Sequence, residues 1–493
     1  MLRVSGFFVA LAFACLFAAD ISITTLDPWT EMQRMGLGVV TPDFTAVSDI
    51  GWVLVRTVAF AFCGVALGAV GGFLLSQLFH YGPVRWACAF VRAIHELFWA
   101  LIFLQMFGLT PLTGVLAIAL PYAGICAKVY AETLEEGDQR AVKILAPGTD
   151  ILSAFLYARL PGVWVHIRNY TSYRFECGLR SSAVLGFVGL PTLGFYLETA
   201  FSEGNYSEAA ALMILFYIMI ASLRLWMRPK LIGLYAIVAP FFLGGGFSIE
   251  MSNIKRFFTI DIVPAPLRGE ALESMNTWSQ FADWVWFMSV DMAVPGIIAT
   301  VLLTQIALVG TGVLALLMFP LISKKFFGPV GRSIGHGFLV VVRSTPEFIL
   351  AYIFLQLWGP SMLPAIVALA LHNGAIIGHL MGRFSDEVKL RPDHTRGLNL
   401  YGFEMLPRIY GQFLAYLFYR WEVIMRETAI LGILGIATLG FFIDSALSEI
   451  RIDRAMFLIV VTAALNIGID ILSRRIRRHL HLSDEARQLK NPA

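Results

Sequence analysis

Charge is scarce in this chain. Only 14% of its 493 residues are Asp, Glu, Lys or Arg, against about 25% in a typical soluble domain. With 58% hydrophobic residues and a mean hydropathy of +0.72, this deficit argues against a soluble protein and for a polytopic membrane protein. Cysteine is sparse too. Cys15, Cys63, Cys88, Cys126 and Cys177 lie in largely apolar segments and none forms a CxxC pair, so they read as buried thiols. There is no Walker A motif, no HExxH (His95-Glu96 lacks the second His) and no Cys/His metal spacing, which leaves no recognisable catalytic or metal motif. No basic block occurs and the net charge is only +3, which argues against nucleic-acid binding.

What the chain has is apolar length. About 20 apolar residues cross a bilayer core as a helix. Runs of that kind fall near 4–20, 52–79, 84–108, 112–130, 163–198 and 207–226, then near 230–246, 293–320, 334–358, 361–381, 408–443 and 455–473. The fold class expected is an all-α membrane protein of about twelve transmembrane helices in two parallel six-helix repeats. The fifth run of each set is too long for a plain span and is expected to bend or re-enter at its glycines. The first twenty residues resemble a signal peptide in having Arg3, an apolar run and small residues near the end. An uncleaved first span is preferred, because the equivalent segment Lys230 to Gly246 lies mid-chain. Arg224, Arg228, Lys230, then Lys324, Lys325, Arg332, then Arg474, Arg475, Arg477 and Arg478 all fall on one side if both termini are cytoplasmic.

The two sets repeat in text. "YRFECGLRSSAVLGFVGLPTLGF" from Tyr173 returns as "YRWEVIMRETAILGILGIATLGF" from Tyr419, an offset of 419 − 173 = 246. Arg174, Glu176 and Arg180 meet Arg420, Glu422 and Arg426, and Gly186, Gly189 and Gly194 meet Gly432, Gly435 and Gly440. "VRAIHELFWALIFLQMFG" from Val91 pairs with "VRSTPEFILAYIFLQLWG" from Val342 at offset 342 − 91 = 251, which sets Arg92 and Glu96 on Arg343 and Glu347. The domain division is therefore 1–228, a first repeat with an inside loop at 131–161; 229–480, a second with its loop at 383–407; and a tail, 481–493. Parallel copies imply a pseudo-twofold axis along the membrane normal with a path or site between the halves.

Glu176 lies about 14 residues past Gly162, roughly 20 Å along a helix and close to mid-bilayer. Charges at that depth are expected to face protein or a path rather than lipid. The i, i+4 pairs Glu176/Arg180 and Arg92/Glu96 admit three uses: a salt-bridge network, arginines lining an anion path, or a proton relay. The recurring glycines admit close packing or a flexible gate. The inside loops are helix-compatible and end in Leu160-Pro161 and Leu406-Pro407, and their matched placement suggests partner docking.

At these residues the chain resembles the phosphonate-uptake permeases of ABC importers. The family segment Y-R-F-E-x-x-x-R followed by L-G-x-V-G is matched at Tyr173–Gly189 and, with Trp421, at Tyr419–Gly435, and the family's R-A-x-P-E is matched at Arg92–Glu96 and Arg343–Glu347. The resemblance covers most of both halves, so the chain looks like two family members fused. It implies the type I importer permease fold in a bacterial inner membrane, with no enzyme activity or cofactor in this chain. ATP and Mg would be bound by two cytoplasmic ATPase subunits, and a periplasmic binding protein would deliver ligand, on segments 20–50 and 248–292. The coupling positions implied are Gly148, Leu160 and Pro161, and Gly397, Leu406 and Pro407. The path or gate would use the Arg174–Gly194 and Arg420–Gly440 residues named above. The family's EAA positions fall on Val142-Lys143-Ile144, and Gly397 lies ten residues before Pro407 where Gly148 lies 13 before Pro161, so both loops are divergent. Where the family continues A-G-G-I-G, this chain has Leu190-Pro191-Thr192-Leu193-Gly194. The function implied is uptake of phosphonate or a related oxyanion (phosphite, hypophosphite, phosphate) between the halves; an ion-coupled secondary transporter of a small anion is the alternative.

Overall fold

A computed structural model describes the chain except for residues 138–139, 141–143, 147, 229, 246–248, 269–274, 393–394 and 483–493. The expected EAA positions Val142 and Lys143 and most of the tail lie outside the described residues. Among those described, all regular structure is helical.

The helices that carry the argument are α1 (Leu2–Ala18), α2 (Ile50–Gln77), α3 (Gly82–Ala93), α4 (Glu96–Phe107), α5 (Pro111–Glu136), α6 (Leu160–Val184), α7 (Leu193–Ser202) and α8 (Tyr206–Trp226), then α9 (Val294–Met318), α10 (Pro329–Ser344), α11 (Glu347–Trp358), α12 (Met362–Glu387), α13 (Leu406–Ile430), α14 (Leu439–Ser448) and α15 (Ile452–His479). The all-α membrane architecture expected from the apolar runs is what forms. Six helical segments are long and apolar enough to cross a membrane, and up to ten if each of four bent pairs counts as one span. α1 and Ile232–Phe242 are shorter apolar helices. The runs expected as spans at 84–108 and 334–358 are each broken near a right angle, α3/α4 at 95° and α10/α11 at 92°. The break has a local cause: Ile94 and His95, like Thr345 and Pro346, are extended in backbone. The expected bends in the fifth spans are present at 53° and 45°.

Glycine spacing sets the central helix pairs. A Cβ at Gly64, Gly68 or Gly72 of α2 would meet Ile118, Tyr122 or Cys126 of α5 at 2.6, 2.8 and 2.5 Å. The constant separation (118 − 64 = 122 − 68 = 126 − 72 = 54) makes α2 and α5 parallel. In α12 the glycines are Gly374, Gly378 and Gly382, against Leu314, Met318 and Ile322, again at one separation (374 − 314 = 60). The close small-residue contact that membrane helices favour is thus kept in both repeats, while the glycines move from one helix of the pair to the other.

Packing groups the chain into two compact units, one comprising Met1–Leu37 with the chain from Phe258 onward, the other Gly38–Phe257. In the first, α1 lies on α9 and α13: Phe8 sits edge-on to Phe418 and Trp421 (5.2 and 5.1 Å), and Tyr410 donates to Ser5 Oγ at 2.7 Å. The strand of chain after α1 is pinned by Thr24 N to Trp358 O (2.9 Å) and Met362 N to Asp20 O (2.8 Å). In the second unit, Ile232–Phe242 takes the corresponding place, with Tyr235 on Phe62 at 5.6 Å and Phe242 on Trp52 at 5.8 Å. Each unit therefore contains the leading apolar segment of the other sequence repeat.

Candidate functional site

The repeated charged helix is α6 in one unit and α13 in the other. Pro161 and Pro407 open them at the first turn, where a missing N–H costs nothing. Arg174 is half-buried; its Nε donates to Tyr170 OH at 2.8 Å, and its guanidinium lies over that ring at 4.9 Å. Arg180 is half-buried, 3.9 Å from Cys177 Sγ. Glu176 is exposed, whereas Arg420, Glu422 and Arg426 are all half-buried.

After these helices the chain turns at the glycines. Gly189 and Gly435 have φ of +87° and +83°, which glycine adopts without steric cost. Gly186 and Gly194 face each other's backbones: a Cβ on Gly194 would lie 1.7 Å from Ala183 O, and one on Gly186 2.0 Å from Phe195 N. Gly440 against Ala429 O (1.7 Å) and Gly432 against Phe441 N (2.1 Å) repeat this. The returning helices are held by a pair of residues that sequence reading passed over. Leu193 N donates to Thr57 Oγ1 at 2.8 Å, and Leu439 N to Thr300 Oγ1 at 3.0 Å. Both threonines are buried.

A polar cluster lies against each right-angled pair. Ser181 Oγ donates to Glu96 Oε1 at 2.8 Å, and Tyr122 OH lies 3.1 Å from Ser181 Oγ. The serine proton goes to the carboxylate, so Tyr122 is the donor of the second bond. The equivalent positions in the other repeat are Glu347 (96 + 251), Glu427 (181 + 246) and Asn373 (122 + 251). There Asn373 Nδ2 donates to Glu427 Oε2 at 2.9 Å. One carboxylate with two hydroxyls has become two carboxylates with an amide.

Each glutamate also faces one imidazole, from opposite walls. His95 Nε2 lies 3.9 Å from Glu96 Oε2, and His372 Nε2 lies 3.9 Å from Glu347 Oε2. Yet the two histidines are not equivalent in sequence. His95 aligns with Pro346 and His372 with Pro121, since 95 + 251 = 346 and 121 + 251 = 372. A histidine and a proline have exchanged places between repeats while the glutamate–imidazole contact is kept. His95 Nδ1 accepts from Leu97 N at 3.2 Å, so its proton is on Nε2, toward the glutamate; His372 Nδ1 instead donates to Thr345 O at 2.8 Å. Ligand atoms of Glu347, His372 and Glu427 lie within 4.8 Å of one another, a donor set able to hold a divalent cation.

The loops at 131–161 and 383–407 end in short helices leading into α6 and α13. Gly148 and Gly397, with φ of +89° and +64°, precede or open them. Offset 246 pairs Leu152 with Leu398 and Tyr157 with Phe403. All four are strongly exposed: 63% and 87% for the leucines, 83% and 84% for the aromatics. Their anchoring differs. Arg159 donates to Leu134 O (3.3 Å from Nε) in the first loop. In the second, Lys325 Nζ donates to Ser385 O (2.6 Å) and Val388 O, Asp386 accepts from Ser323 Oγ (2.9 Å) and Lys324 N (2.8 Å), and Glu404 pairs with Arg408 at 3.1 Å.

Comparison with known proteins places these features among transport permeases. The chain is similar to the phosphate-import permease protein PhnE of Mycolicibacterium smegmatis, 25% identical over 484 residues, 91% of this chain and 88% of that one. It is similar to the phosphite transport system permease protein PtxC of Stutzerimonas stutzeri, 27% identical over 231 residues, 44% of this chain and 83% of that one. The putative cryptic phosphonate transport system permease protein of Escherichia coli is 32% identical over 110 residues, 22% of this chain and 90% of that one. No family model and no solved structure matches the chain.

Proposed function

The chain belongs to the phosphonate-type permeases of ABC importers, and from that premise we propose that it is the membrane subunit of an ATP-driven importer of a phosphorus oxyanion: phosphonate, phosphite, hypophosphite or phosphate. The observation that carries this is the similarity along nearly the whole chain to a phosphate-import permease, joined by shorter similarities to phosphite and phosphonate permeases. A relative that uses 83% of its own length to match 44% of this chain supports two family lengths fused in one polypeptide, 1–228 and 229–480.

The protein sits in the inner membrane with both termini cytoplasmic. ATP and Mg are bound by two ATPase subunits, which grip the loops at 131–161 and 383–407. The matched exposed pairs Leu152/Leu398 and Tyr157/Phe403 are the knobs those subunits receive. The differently anchored second loop accounts for two unequal grips. On the opposite face a binding protein delivers ligand at 20–50 and 248–292, where the helices Pro28–Val40 and Met275–Phe287 lie. Movement of the loops is carried by α6 and α13 to the glycine turns, which act as the gate, while Arg174, Arg180, Arg420 and Arg426 lower the electrostatic cost of an anion in the bilayer. Reconstitution with ATPase and binding protein tests this: ATP-dependent accumulation of a phosphorus oxyanion is expected. Uptake that proceeds without ATP and follows a proton or sodium gradient contradicts it.

A further inference from the structure

One heptad along α12 from His372 lies His379, on the same face of the helix. It is buried, 5% exposed, and its Nδ1 has no hydrogen-bond partner among the described residues. Its ring stands 5.3 Å from that of His336 on α10. Arg343, seven residues after His336 and so on the same face of α10, and Arg383, one turn after His379, are its charged neighbours. Two imidazoles and two guanidiniums converge between α10 and α12. Asp386, one turn beyond Arg383, is engaged by Ser323 and Lys324, and Glu387 is exposed at the helix end.

The other repeat keeps three of these four basic positions with different residues, while Arg383 falls on Glu132 (383 − 251 = 132). Offset 251 sets His336 on Arg85, Arg343 on Arg92 and His379 on Lys128. The packing register is kept as well. α3 crosses α5 at Cys88 and Gly124, and α10 crosses α12 at Leu339 and Ala375, which are the same positions at offset 251. Arg85 and Lys128 therefore stand to their crossing point as His336 and His379 stand to theirs, three residues before and four after. A basic side chain is present at all three positions in both copies, although no one residue type is kept except at Arg92/Arg343. Basic residues at helix ends are common in membrane proteins; a buried imidazole nitrogen with nothing to bond is not explained that way.

We propose that His336, Arg343, His379 and Arg383 form a binding pocket for a tetrahedral phosphorus oxyanion, a holding site on the route through this permease. The inference rests on the transport reading above and adds to it a place where cargo is held. Such an anion offers only acceptor oxygens in its ionised state and carries one to two negative charges. The guanidiniums supply paired donors suited to it, and the unpartnered Nδ1 of His379 supplies one more. Glu347 of α11 and Glu427 of α13, gathered around His372 two turns back along α12, limit how far the anion advances on that side by repulsion.

The test uses the complete transporter in lipid nanodiscs, with inorganic phosphate and methylphosphonate as probes. Carbethoxylation of His336, which is exposed, is followed by peptide mass spectrometry. Either probe is expected to slow it at least three-fold at millimolar concentration, with chloride at equal ionic strength without effect. Arg383→Gln and His379→Gln are each expected to raise the concentration needed by five-fold or more. Equal rates with and without both probes, or protection that both variants leave unchanged, overturn the pocket. Uptake measured in parallel separates the two claims. ATP-driven uptake with unprotected His336 overturns the pocket and leaves the transport reading standing. Protection without any phosphorus oxyanion uptake supports the pocket and overturns the transport reading.

Discussion

Replacing Gly194 by alanine should destabilise the protein, and the structure sets the size. The added Cβ would lie 1.7 Å from Ala183 O and 2.7 Å from Ala183 C. Reaching ordinary contact at 3.4 Å requires 3.4 − 1.7 = 1.7 Å of retreat. Both obstacles are backbone atoms of a fully buried residue, so no side chain can rotate aside. Overpacking by a methyl group typically costs about 1–3 kcal/mol. Shifting α7 by that distance also breaks the Leu193 N to Thr57 bond, about 1 kcal/mol more. Alanine's better helix propensity returns roughly 0.5–1 kcal/mol. The net expectation is about 1–3.5 kcal/mol, and the same for Gly440→Ala, where the Cβ would again lie 1.7 Å from a backbone oxygen, that of Ala429. The assay is thermal unfolding in detergent beside Gly162→Ala, a position with nothing within 4 Å, which should melt with or above wild type. If Gly194→Ala and Gly440→Ala melt with the control, the packing argument is wrong. Melting unchanged with transport lost would assign these glycines to motion instead.

Thr57→Val and Thr300→Val keep shape but remove the acceptor for a buried N–H, and each should cost about 1–3 kcal/mol in the same unfolding assay. Tyr122→Phe removes the donor to Ser181 and should cost about 1 kcal/mol; Asn373→Leu should cost more, because Glu427, 7% exposed, then loses a bond inside the protein. Leu152→Ser with Tyr157→Ser, and separately Leu398→Ser with Phe403→Ser, should leave unfolding unchanged while lowering ATPase subunit retention on pull-down several-fold. Lys325→Ala should release the loop at 383–407, read as faster limited proteolysis between Val388 and Arg396 with the loop at 131–161 unaffected.

Much of the fold was legible because the chain states it twice. A duplicated glycine pattern marks two bends, and both are present. The right-angle breaks at Ile94-His95 and Thr345-Pro346 were not read, because an apolar run looks continuous in hydropathy and only one copy carries a proline. The exchange of leading segments was hidden for a related reason: an apolar helix such as α1 carries no mark of which neighbour it will meet. The polar clusters were legible only in part. Glu96 and Glu347 stand out as charges in oil, but Ser181, Tyr122 and the two threonines are ordinary residues whose role comes from helices far apart in sequence. The histidine–proline exchange defeats alignment outright, since position by position it looks like two unrelated differences. The glutamate–imidazole contact appears only when the two walls are brought together.

The most direct measurement of the central claim is uptake into proteoliposomes holding this chain with its ATPase and binding protein, loaded inside or outside with ATP and supplied with labelled phosphate, phosphite and methylphosphonate in turn. The account predicts that at least one of these accumulates only with hydrolysable ATP on the ATPase side, and that an imposed proton or sodium gradient without ATP drives none. Accumulation that follows the gradient and ignores ATP would contradict it.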